Sequence, residues 1–187
     1  MDAHDLKLRE QILLLSLDEK KGAFHNPQTV PHVVAGALLM ELDALGRVAL
    51  EEGFLVPVAG EPTGDPLLDE LLGIMARAGR RKRAPAWVRV APTKLKKVHD
   101  RVARDLVQRG ILRESEDKVL WVFPVKRYPE RRRGPEREIR DLVHRVASGS
   151  RRIDPHSGRL AALVSAARLA RHVFAPHHRK ESGRRLD

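Results

Sequence analysis

Cysteine is absent from this 187-residue chain. That excludes disulfides, thiolate metal sites and a cysteine nucleophile, and it agrees with a reducing compartment. Aromatic residues make up only 4% of the sequence. A core built mostly of Leu, Val and Ala favours helices over a β-sandwich. No apolar run reaches the ~18 to 20 residues that cross a bilayer; the longest, Val30 to Met40, stops well short. Asp2 and Asp5 stand where a secretory signal would carry basic residues, so the expected location is the cytoplasm. Catalytic signatures are missing too. There is no phosphate-cradling G-x-x-x-x-G-K-[ST], no G-x-G-x-x-G, no G-x-S-x-G and no H-E-x-x-H. Adjacent His177 and His178 diverge, so neither a metal nor a cofactor is expected. Asp65, Asp69 and Glu70 open a helix, where capping and dipole complementarity account for carboxylates without catalysis. The chain reads as a non-enzyme.

What is present in excess is positive charge. Thirty-six basic residues against 25 acidic ones give +11, which calls for an anionic partner: nucleic acid, membrane surface or acidic protein. The apolar pattern predicts a mainly α single-domain helical bundle with a small β-hairpin. Residues 6–17 form a short helix, and residues 30–45, apolar all round, form a second at the centre of the core, closed by Gly46. Asp65 caps a third, with Pro66 at its first position. Residues 84–92 read as irregular around Trp87. A basic helix capped by Thr93 then runs to Gly110, with Leu95, Val98, Val102 and Leu106 inward. Strands at 111–114 and 118–125 flank a turn at Ser115-Glu116-Asp117. An exposed linker leads to a helix from Pro135 and a last helix from Asp154-Pro155 through Val173. The domain spans residues 1–174, and residues 175–187 form a charged tail.

The basic helix and hairpin admit two readings. A winged-helix nucleic-acid binder would set Lys96, Lys97, Arg101 and Arg104 on phosphates, with Arg127 on the wing. The hairpin argues otherwise. Val119, Trp121 and Phe123 alternate on one face, and Leu120 and Val122 on the other. A strand apolar on both faces is buried twice or covered by something external. A tryptophan followed by Lys126 and Arg127 suits the membrane interface, and the same hairpin suits self-association into a homo-oligomer.

The order LREQILLLSLDEKKGAF, GALLMELDALGRVALE, EPTGDPLLDELL, LKKVHDRVARDLVQRGIL and DPHSGRLAALVSAARLARHVF resembles the Golgi phosphoprotein 3 family over most of the chain. The resemblance implies a non-enzymatic peripheral membrane protein on the cytosolic face. It would recognise phosphatidylinositol 4-phosphate beside the hairpin, and in eukaryotes it would also act as an adaptor for client proteins. It places His25 at the family's aromatic position and Ala35 at an arginine position before Gly36. Lys96 and His99 stand where the family has two basic residues three apart. With Arg101 and the run Arg80 to Arg83, these residues fit an anionic-lipid surface.

Overall fold

The computed structural model describes residues 5–18, 21–119, 123–131 and 134–174. The expected tail at 175–187 lies outside the described residues. At the centre is α1 (Leu8–Leu15), whose eight residues are all buried, including Arg9, Glu10 and Gln11. Burying such groups is costly unless each finds a partner, and each does. Arg9 pairs with Glu41 and Asp65. Glu10 accepts two bonds of 2.8 Å from Arg109. Gln11 Oε1 accepts from His156 Nε2 at 2.9 Å.

Around α1 pack α2 (Val30–Ala44), α5 (Val98–Gln108), α6 (Pro135–Ala147) and α7 (Pro155–Ala166). Both α3 (Pro66–Ala76) and α4 (Ala84–Lys94) lean on α2, and α8 (Ala170–Val173) closes against α6 and α7. Two antiparallel pairs complete the set: β1 (Val48–Glu51) with β2 (Phe54–Pro57), and β3 (Ser115–Val119) with β4 (Phe123–Arg127). The mainly α bundle is as the sequence predicts, with a second hairpin formed from the β-like runs near residues 48 and 54. At the end of α2, Gly46 takes φ +64 and closes the helix as expected.

Several boundaries differ from expectation. Residues 84–94 are helical, not irregular: Pro85 suits the first turn, while Pro92 lies inside the helix and removes one backbone donor near its end. Trp87 anchors this helix, buried and donating from Nε1 to the Leu55 carbonyl at 3.1 Å. The basic segment is therefore not one helix from Thr93. It breaks where Lys96 and Lys97 adopt φ +34 and +53, and α5 starts at Val98. The last helix also divides, at Arg168 with φ +55. Arg168 N–H reaches the Ser165 carbonyl and Leu169 N–H the Val164 carbonyl, a Schellman closure with arginine in the glycine position.

The second hairpin is displaced as well. Ile111 and Leu112 are core residues before the strand, and the pairing runs from Ser115–Arg127 to Val119–Phe123. Val119 and Phe123 are thus cross-strand partners, not successive positions of one strand. Leu120, Trp121 and Val122, named above for a membrane or self-association role, lie outside the described residues. Just before the stretch read as a linker, Tyr128 is 1% exposed and bonds through its N–H to the Gly22 carbonyl at 2.7 Å.

Candidate functional site

Between Glu70 and Asp100 the chain contains no carboxylate but nine cations: Arg77, Arg80, Arg81, Lys82, Arg83, Arg89, Lys94, Lys96 and Lys97. The fold arranges most of them along α4. Burying Trp87 and Ala91 turns the row Pro85, Arg89 and Thr93 to solvent, an i, i+4 spacing along one face. Arg80 to Arg83 gather at its start, and Lys94, Lys96 and Lys97 at its end. An 11-residue helix is about 16 Å long, so the cations form a ridge with a cluster at each end.

Some of these cations have structural work. Arg81 bonds Glu51 and Glu52 at 3.1 and 3.2 Å, and with Arg83 it flanks the Phe54 ring. Lys82 sits over Trp87, 4.9 Å from the ring centroid. Arg80, Arg83, Arg89, Lys94, Lys96 and Lys97 have no ion pair among the described residues. At the end of α4 such charges complement the helix dipole, but Arg80 to Arg83 crowd its positive end, where cations are unfavourable. The pairs of Arg81 with Glu51 and Glu52 offset only part of that arrangement, since Arg80 and Arg83 have no ion pair among the described residues.

The four residues named for a headgroup do not form one cluster. Lys96 is exposed in the break between α4 and α5. His99, one turn on, is half-buried with its ring edge-on to Phe24, centroids 5.6 Å apart. Burial pushes its pKa down, and Asp100 only partly offsets this. Arg101 is engaged: it bonds Glu70 at 2.7 Å and the Leu95 carbonyl at 3.1 Å, which closes the end of α4. His25 turns the other way and stacks on His172, with centroids 3.8 Å apart and planes 11° from parallel. Burial pushes its pKa down, and the charges of His172 and Arg140 add to this. Ala35 is fully buried. Arg89 and Lys94, missed by inspection of single motifs, are signalled by the acid-free run as a whole.

The cations thus form a basic ridge on a helical bundle, and among the described residues no helix is long and apolar enough to cross a membrane. The family model for Golgi phosphoprotein 3 (GPP34) matches residues 8–187, and the chain belongs to that family. Among curated relatives, vacuolar protein sorting-associated protein 74 of Eremothecium gossypii is 28% identical over 147 residues. That match covers 66% of this chain and 44% of the relative. The chain therefore spans less than half the length of that protein.

Proposed function

We propose that this protein is a peripheral membrane protein that docks on anionic lipid headgroups through the α4 ridge. The family membership favours phosphatidylinositol 4-phosphate as the headgroup and an adaptor role toward a client protein. The observation that carries the reading is the acid-free run from residue 71 to 99, with exposed, unpaired cations at both ends of one helix. Lys96 supplies charge at the α4–α5 break. His99 and His25, both neutral at pH 7, supply hydrogen bonds and a stacking face. Arg101 holds the break in shape. The apolar residues Val119 to Phe123 enter the lipid interface beside the basic flank Lys126 and Arg127.

Co-sedimentation with vesicles tests this. Binding should require phosphatidylserine or phosphatidylinositol 4-phosphate in a phosphatidylcholine background and should fall as salt rises. Each cation near such a surface contributes ~1 kcal/mol. Neutralising Arg89, Lys96 and Lys97 together should therefore weaken binding by about two orders of magnitude. Equal binding to pure phosphatidylcholine, or no effect of the triple variant, would sink the proposal. Trp121→Ser separates membrane docking from nucleic-acid binding: it should weaken vesicle binding and leave duplex DNA binding, if any, unchanged.

A further inference from the structure

The face of α2 that turns away from α1 is also apolar, and the fold leaves it open. Val33, Gly36 and Met40 floor a groove between Val88 of α4 and Leu163 of α7, with a volume of about 1090 Å³. That is just above the usual range for small-molecule sites, ~300 to 1,000 Å³. An apolar helix face left open needs a cover.

Two residues of the groove sit where stability alone would choose differently. The first is Gly36, in mid-helix. A Cβ there would lie 3.4 Å from Leu163 Cδ2 and 4.0 Å from Val88 Cγ2, both ordinary contacts. Packing therefore tolerates alanine, which is better in a helix by about 1 kcal/mol. What glycine preserves is the depth of the floor. The second is Arg168, on the rim, with φ +55. Glycine would be cheaper in this conformation, yet the position carries a cation. Beside it Arg171 is exposed, its Nε donating to His172 Nε2 at 3.1 Å. Neither arginine has an ion pair among the described residues. Asp43, the one carboxylate in the lining among the described residues, is paired with Arg159 at 3.1 Å.

We propose that this groove binds a single-chain anionic amphiphile, its acyl chain along Val33, Gly36 and Met40 and its carboxylate or phosphate against Arg168 and Arg171. An apolar cleft with unpaired guanidinium groups in its lining complements that chemistry. The chain's own residues 175–187, APHHRKESGRRLD, are too charged to fill it. The site lies off the solvent row of α4 and shares only His25 with the headgroup residues named above, so it does not rest on the docking of that ridge.

Calorimetric titration of the full chain with palmitate, lysophosphatidic acid and zwitterionic lysophosphatidylcholine, each below its micelle concentration, tests the proposal. The two anions should bind with one-to-one stoichiometry, and comparison of the two identifies the preferred headgroup. The zwitterion keeps a phosphate but adds a choline cation of like charge to Arg168 and Arg171, and should bind at least about tenfold more weakly. Gly36→Leu should abolish binding by filling the floor. Arg168→Gly with Arg171→Gln relieves backbone strain, so it should fold at least as well while weakening the anions to the level of the zwitterion. Absence of binding by both anions overturns the proposal, as does equal affinity for the zwitterion or affinity unchanged in the folded double variant. A dimer that Gly36→Leu converts to monomer would put a second copy in the groove and would also overturn it.

Discussion

Asp65 shows how much one carboxylate can organise. Its Oδ1 accepts from the N–H groups of Leu67 and Leu68, at 3.0 and 3.3 Å, and caps α3. Its Oδ2 accepts from Lys7 at 2.5 Å and from buried Arg9. Burial alone would raise its pKa, but the bonds from Lys7 and Arg9 outweigh this and bring it to about 2. Asp65→Ala removes a cap and leaves Arg9 with half its compensation, so it should cost about 3 kcal/mol, read as a lower urea midpoint. Asp65→Asn keeps a good cap but not the charge that faces Arg9, and should cost less; equal losses would show that the Arg9 bridge, not the cap, carries the cost. The stacked His25 and His172 act on the same scale. Burial pushes the pKa of His172 down first, followed by the charges of Arg171 and Arg140, with Asp18 opposing in both rings. Folded-state pKa values below the unfolded value of about 6.5 mean that the neutral pair stabilises the fold above that pH. The contribution is lost as pH falls through the folded pKa values. Thermal melts should therefore show Tm dropping below about pH 6.5. Replacing both rings by Phe should flatten that slope in part, with the remainder coming from His99.

At the scale of elements, the segment between α1 and α2 is pinned to the end of β4 through Gly22. A Cβ on Gly22 would lie 2.2 Å from the Pro129 nitrogen and 2.5 Å from the Tyr128 carbonyl carbon, and φ is +59. Gly22→Ala should cost roughly 2 kcal/mol or more and increase amide exchange at Tyr128; a neutral variant would show the junction to be pliable. The sequence marks Gly22 as a break after the first helix, but not what it touches, because the partner is over a hundred residues away. The elements that are legible in the sequence are those with local signals. Asp65-Pro66 and Asp154-Pro155 each open a helix where expected, since caps act within one turn. Residues 84–94 are not legible, because two prolines in 11 residues outweigh the helical spacing of Trp87 and Ala91. The hairpin register is misread because the apolar run makes residues 118–125 look like one strand, whereas Val119 pairs with Phe123 across two. Of the candidate surface, the charges are in the sequence, but their commitments are not. Arg101 looks like any other basic residue until Glu70 and the Leu95 carbonyl are seen beside it.

For the molecule as a whole, the charge of +11 is not spread evenly. Carboxylates are drawn inward: Glu10, Glu41, Asp65 and Glu136 hold Arg109, Arg9 and Arg140 in or near the core. The run from 71 to 99 is left with cations alone. Internal neutrality and an outward positive field thus come from the same distribution of residues. A further consequence follows from the central place of α1, and it concerns time. Arg9 meets partners 32 and 56 residues ahead, Glu10 one 99 ahead and Gln11 one 145 ahead. At ~5 to 20 residues per second, the ribosome needs roughly 7 to 30 s to deliver the last of them. The helix made first is therefore completed last. Until α7 emerges, its apolar residues and its buried charges must wait for their partners or be shielded by a chaperone.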